Sequence, residues 1–222
     1  MGFYYNFSIS YIVSSLACFI TEMAFPSIRA NVISRNKIIN NYQIMIPTVA
    51  ANIAIAYPYF LILENSITFD TIIIVNTFNI LDIIFWNLLF IIYFTLWAVF
   101  TDVLFYMVHS LMHTPKWYWL HAKHHSFRYT HGIGAIYSSV FEFIVGNLGV
   151  ATIPIYFLSI PKNYVSIIIS FMSAYTVIIS HSGFHYFDKH LTHHLKYKVN
   201  YGLVIMDRLC GTQYRKAITE SS

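Results

Sequence analysis

Five apolar runs leave this chain few ways to fold. A helix that crosses a ~30 Å hydrocarbon core needs roughly 20 residues. Residues 3–25, 44–63, 83–108, 140–158 and 164–180 reach or approach that length, the second despite Pro47 and Pro58. The last two runs are split by Pro161, Lys162 and Asn163, which outlines a helical hairpin. The stretch 67–81, with Asp70 and Asp82 about it, is too short and reads as a loop or interfacial piece. The 222 residues are 57% hydrophobic and 10% charged. A soluble domain carries about 25% charged residues, so much of this surface must face lipid. The expected fold is all-α, an integral membrane helical bundle. The expected division is an N-terminal transmembrane region, 1–82, followed by a second region, 83–222, that contains the hairpin at about 140–180.

Charge orients the bundle. Twelve of the thirteen Lys and Arg fall on one side of the expected layout: Arg29, Arg35, Lys37, Lys116, Lys123, Arg128 and the six from Lys189 to Lys216. Only Lys162 lies opposite, where the other loop carries Glu64, Asp70 and Asp82. Cytosolic loops of membrane proteins carry this excess of basic residues, so the N-terminus is expected outside and the C-terminus in the cytosol. A net charge of +4 suits a face lying against anionic headgroups and gives no reason to expect nucleic acid. Cys18 and Cys210 supply no disulfide framework. The first run lacks a basic n-region and a cleavage site, so it is expected to be retained. Asn6-Phe7-Ser8 is a formal glycosylation sequon too close to the bilayer to be used.

On the cytosolic side lie ten of the eleven histidines, in four clusters: His109 and His113; His121, His124 and His125; His181 and His185; His190, His193 and His194. Neutral imidazole is the commonest metal ligand among side chains, and ten exceed what one metal can use. Two metal ions sharing one cage are expected. His109 and His113, four apart at a helix end, share a face, and His181 and His185 repeat the spacing. The other two clusters present all three rings to one side if helical, since i, i+3 and i+4 lie together. His131 stands apart and is read as an ordinary hydrogen-bonded side chain. Ligand type alone leaves iron, zinc, copper and nickel open. A structural zinc would more often draw on cysteine, and neither cysteine is near the first three clusters.

The stretch from Asp102 to Thr212 resembles the membrane-bound fatty acid hydroxylase and sterol desaturase superfamily. The residues that carry the likeness are Asp102, His109-Ser-Leu-Met-His113, His121-Ala-Lys-His124-His125, Ala135-Ile-Tyr137 and Glu142. They continue with His181-Ser-Gly-Phe-His185, His190-Leu-Thr-His193-His194, Asn200-Tyr201-Gly202 and Asp207-Arg208-Leu-Cys-Gly211-Thr212. The short link from His185 to His190 and the His-Ser-Gly-x-His form resemble the C4-methylsterol-oxidase-like branch. Three positions depart from the pattern: Ser110 where an arginine is common, Met206 where an aromatic is usual, and His131 where relatives tend to carry a non-ligand residue. None removes a ligand.

The resemblance implies a histidine-rich di-metal cap on the cytosolic side, holding two iron ions through His109, His113, His121, His124, His125, His181, His185, His190, His193 and His194. It implies an oxidoreductase that uses O2 to hydroxylate or desaturate a lipid, a sterol methyl group first and an acyl chain or sphingolipid second. Ligand imidazoles generally donate their other N–H to a carboxylate or carbonyl, and Asp102, Glu142 and Asp207 are the candidates for that role, with Asp188 behind them. No nucleotide fingerprint occurs in the chain, so the resemblance implies electrons from NAD(P)H through a reductase and cytochrome b5, and an endoplasmic reticulum membrane in a eukaryotic host. Two other classes compete. A metal transporter would place its ligands near the midplane on broken helices, whereas these stand at helix ends. A haem carrier needs only two axial histidines, which leaves eight of the ten without a role.

Overall fold

The computed structural model describes residues 2–67, 80–187, 189–203 and 205–214. Most of the stretch 67–81, with Asp70, falls outside the described residues, as do Asp188, Arg215 and Lys216. The described chain is helical, and five helices are long and apolar enough to cross a membrane. They are α1 (Phe3–Ala24), α2 (Arg35–Ser66), α3 (Ile80–Met112), and, beyond the short α4 (Tyr118–His121), α5 (Val140–Phe157) and α6 (Lys162–His181). Two small helices follow, α7 (Lys189–Lys196) and α8 (Ile205–Leu209).

The spans follow the apolar runs, and their ends follow local chemistry. Helix α2 starts nine residues before its apolar run because Ser34 accepts from the Lys37 N–H at 3.3 Å and caps a polar first turn. Pro47 and Pro58 sit inside it without ending it. Ile80 and Leu81, expected in a loop, belong to the first turn of α3. Ser139 caps α5 by accepting from the Glu142 N–H at 3.2 Å. Both hairpin helices contain a wider π-helical stretch, Phe143–Gly149 in α5 and Thr176–His181 at the end of α6. Such bulges are concentrated at functional sites; the one in α6 ends on His181, and the one in α5 follows directly after Glu142.

Helix α1 packs chiefly on α6 and α2, and α3 packs on α5. The α1–α6 contact crosses the division expected at residue 82. Phe7, Phe60 and Phe143 meet in the core between α1, α2 and α5, with ring centroids 5.2 and 6.4 Å apart. Two hydrogen bonds lock α3 against the hairpin: the Trp97 indole N–H donates to the Ala151 carbonyl at 2.8 Å, and the Tyr164 hydroxyl donates to the Trp86 carbonyl at 3.0 Å. The outer faces of the spans are apolar, with Ile62, Phe85 and Phe157 among the exposed side chains. These are the marks of a multi-pass membrane protein.

The hairpin turn at Lys162 and the histidines stand at opposite ends of α5 and α6. A single cysteine placed at Lys162 in a thiol-free background is therefore expected to react with an impermeant reagent from the non-cytosolic side alone. Labelling from the cytosol would remove the hairpin topology.

Candidate metal centre

Nine of the ten clustered histidines converge where α3 and α6 end and α5 begins. His109, His113, His121, His125 and His193 form one set, and His124, His181, His190 and His194 the other. Within each set the ligand atoms lie within 4.8 Å of one another. The sets adjoin, because the His121 and His124 rings stack across them at 5.2 Å.

Helical spacing explains the sorting. In each three-histidine cluster the first and last members, four apart, join the same set, and the middle one crosses to the other. His121 and His125 go to the five-histidine set while His124 goes to the four. His190 and His194 go to the four while His193 goes to the five. Residues four apart stack on one face, and the residue at i+3 is rotated away from both by the 3.6-residue repeat. All three rings of a cluster were expected to address one side; the structure uses the rotation between them to bridge two centres.

His185 departs from the expected ligand set. The spacing from His181 predicts one helical face, but α6 ends at His181 and Gly183 turns the chain at φ +71°. A Cβ at Gly183 would come within 2.9 Å of the Arg29 guanidinium and 3.0 Å of the Thr130 carbonyl. His185 is consequently exposed, and its Nε2–H donates to the Ser27 carbonyl at 3.1 Å.

The donor set fits metal ions, and the hydrogen bonds of the rings give the reason. His109 donates through Nδ1 to the Tyr201 carbonyl at 2.6 Å, His181 to Thr176 at 2.9 Å, His193 to Val199 at 2.7 Å and His194 to Phe127 at 3.3 Å. His121 donates through Nδ1 to Glu142 Oε1 at 2.7 Å. With the proton on Nδ1, each Nε2 carries a bare lone pair. Yet the Nε2 atoms of His109 and His121 face each other at 3.1 Å. Two lone pairs at that distance repel unless a cation lies beside them. The buried Nε2 of His113 likewise finds no hydrogen-bond partner in the protein. Burial, reinforced by the neighbouring imidazoles, pushes His113 down to about 3 and carries His121, His124, His190, His193 and His194 well below the usual histidine range. All are neutral at neutral pH, the form that binds a metal.

The three carboxylates divide. Glu142 pairs directly with His121 of the five-histidine set. Asp102 accepts from the backbone N–H groups of Leu203, Ile205 and Met206 at 2.6–3.1 Å and so holds the loop before α8. Asp207 accepts from the Gly202 N–H at 3.1 Å and the Thr212 hydroxyl at 2.8 Å, and pairs with Lys189 at 2.9 Å. Both act one step removed: the loop they fix carries the Tyr201 carbonyl that orients His109. A carboxylate beside helix α8's unpaired N–H groups is drawn to them first.

His131 is fully buried away from both sets, and both its nitrogens are engaged. Nδ1–H donates to Glu22 Oε2 at 2.9 Å, and Nε2 accepts from Asn41 Nδ2 at 2.9 Å. Arg29, also fully buried, pairs with the same Glu22 oxygen at 3.0 Å and donates to the Thr130 carbonyl at 2.7 Å and the Ser182 carbonyl at 3.2 Å. The bonds of the isolated His131 are consistent with its reading as an ordinary hydrogen-bonded side chain.

A cavity of about 610 Å3 opens between α3, α5 and α6. Phe94, Ala98 and Phe105 of α3, Phe143 and Leu148 of α5 and Ile179 of α6 make its apolar walls. His181 and His190 belong to its lining, and both are members of the four-histidine set. No sequence signal pointed to it, because its walls come from separate parts of the chain.

Residues 94–212 match the family model described as Fatty acid hydroxylase. The chain belongs to this family. It is also similar to Fatty acid hydroxylase domain-containing protein 2 of Macaca fascicularis and of Homo sapiens, each 34% identical over 128 residues, which cover 52% of this chain and 37% of the relative. The match thus spans little more than a third of those curated relatives. No solved structure matches the chain. Every histidine of the two sets lies inside the matched residues.

Proposed function

We propose that this family member is an oxygen-dependent lipid oxidase with two iron ions held by nine histidines, His109, His113, His121, His125 and His193 for one and His124, His181, His190 and His194 for the other. The observation that carries the reading is the asymmetry of the cage. The set with fewer protein ligands is the one that meets the apolar cavity. Catalytic metal sites keep a position open towards substrate while structural ones are closed by protein. When bound, the iron pair supplies the oxidising power that O2 and external electrons bring to an unactivated C–H bond.

The chain's own residues do the rest. The phenylalanine-lined walls exclude water and hold an apolar chain or ring beside His181 and His190. Backbone carbonyls and Glu142 fix the tautomer and direction of five imidazoles, which keeps the cage preorganised. Lys123, Arg128 and Lys196 follow or flank the histidine clusters and give the same face a positive surface. An acidic electron donor of the cytochrome b5 type suits it, with NAD(P)H behind it. In a eukaryotic host the endoplasmic reticulum membrane is the proposed site. The division at residue 82 is proposed as the start of the hydroxylase-like part, 83–222.

Within this class the short His185–His190 link favours a sterol methyl group as target over an acyl chain. Expression in a sterol-containing host, followed by lipid profiling, tests both levels. Oxidised 4-methylsterols, formed only with oxygen and a reductant, are the expected result. Accumulation of a 2-hydroxy fatty acid with unchanged sterols would move the substrate to the acyl class. Ion flux in proteoliposomes without any oxidised lipid would remove the oxidase reading.

A further inference from the structure

Polar side chains on α3, α5 and α6 commonly bond back to their own helix, whereas Ser8 and Ser15 of α1 and Tyr42 of α2 keep unpartnered hydroxyls outside the cavity. Thr152, Ser173 and Thr176 donate to carbonyls three or four residues back at 2.8–3.0 Å, and Asn87 donates to the Ile83 carbonyl at 2.7 Å. This return bond is the ordinary resource of a polar side chain in an apolar helix. Two residues that line the cavity do without it. Thr101 of α3 is 6% exposed, and its buried Oγ1 has no hydrogen-bond partner. Asn147, in the π-helical stretch of α5, has a buried Nδ2 that is likewise unpartnered. The buried amides of Asn41, Asn52 and Asn200 all have partners. A buried polar group left unmade is costly, so two in one cavity call for an explanation.

The register of the helices places them together. Helices α3 and α5 run antiparallel and are joined by the Trp97–Ala151 bond. Thr101 comes four residues after Trp97, and Asn147 four residues before Ala151. Each therefore stands about one helical turn nearer the histidines than that bond, on facing helices.

We infer that Thr101 and Asn147 form a recognition point for an oxygen atom of the lipid, a hydroxyl or a carbonyl, within the cavity. The Thr101 hydroxyl and the Asn147 amide N–H both donate to that oxygen, and the apolar walls take the rest of the molecule. A plain hydrocarbon chain would leave both donors unpaired. The inference rests on the reading of the cavity as a lipid site, and it narrows the substrate to an oxygen-bearing lipid with that oxygen inside the membrane region.

Binding is read separately from turnover. The full chain, loaded with iron in nanodiscs, is titrated with two competitor pairs against a fluorescent lipid. One pair is a 4,4-dimethyl-3-hydroxysterol and its 3-deoxy counterpart; the other is a long-chain N-acyl amide and an alkane of matched length. The expected result is a preference of about tenfold for the oxygen-bearing member of one pair, the scale of a hydrogen bond. The pair that shows it identifies the hydroxyl or the carbonyl. Thr101→Val and Asn147→Leu, near-isosteric and apolar, should reduce the preference to within about twofold while binding of the deoxy lipid or alkane persists. That persistence reports an intact cavity, and Thr101→Ser should keep the preference. Equal binding within both pairs by the unaltered protein overturns the inference, as does a preference that survives both apolar variants. A preference that behaves as expected with no oxidised product from any lipid supports the recognition point and counts against the oxidase reading alone.

Discussion

Alanine at His124 is expected to abolish product formation and to lower the metal content from about two ions per chain to about one, while the protein still inserts. The Nε2 of this residue lies 3.2 Å from that of His194, 3.3 Å from His181 and 3.5 Å from His190, so it is the hub of the cavity-facing set. Removing it takes away the ring whose Nε2 lies within 3.5 Å of the other three, and a metal held by the remainder has neither the right position nor the right ligand number. Elemental analysis of detergent-purified protein reads the stoichiometry, and oxidised lipid reads the activity. His185→Ala serves as the control, because His185 points to the Ser27 carbonyl and should leave both ions in place. Two metals retained in the His124 variant, or one lost in the His185 variant, would refute the two sets as drawn.

Glu142→Leu should cost about 10–100-fold in metal affinity or turnover. Glu142 accepts the Nδ1 proton of His121 at 2.7 Å in a place where both side chains are almost fully buried. Without the carboxylate, that N–H is left unpaired at a cost of about 1–3 kcal/mol, and the ring is free to rotate or change tautomer. Glu142→Gln keeps an acceptor and should recover most of the loss. Metal titration and kcat measured together separate the cases. A Leu variant with unaltered affinity and rate would show that packing alone holds His121.

The spans were legible because apolar length is a one-dimensional property, and the bilayer imposes it. Helix α2 starts nine residues before its apolar run because Ser34 offered a cap, a feature that hydropathy does not record. The histidines were legible as a group for a similar reason: spacing shows which residues share a face. Which clusters join in one set was not, since it depends on how α7 and the chain around His121 approach one another. His185 shows the limit clearly. Its four-residue spacing from His181 is the same as that between His109 and His113, yet a glycine at positive φ between them ends the helix and sends the ring elsewhere. Asp102 and Asp207 show it again: a carboxylate near histidines in sequence went to unpaired backbone N–H groups, which compete for it on equal chemical terms. Thr101 and Asn147 carried no signal at all, because an unmade hydrogen bond is visible only once the neighbours are in place.

The buried group of Glu22, Arg29, Asn41 and His131 bears on how small this protein can be made. Residues 94–212 contain every histidine of both sets, and a gene fragment of that extent looks self-sufficient on paper. Arg29 nevertheless grips the carbonyls of Thr130 and Ser182, the latter next to His181, and its charge is balanced by Glu22 from α1. Cut away the first two helices and the strap across the rim of the cage goes with them, leaving His131 without its acceptor and its donor. Attempts to transplant the histidine module, or to trim it for expression, will have to carry α1 and α2 along.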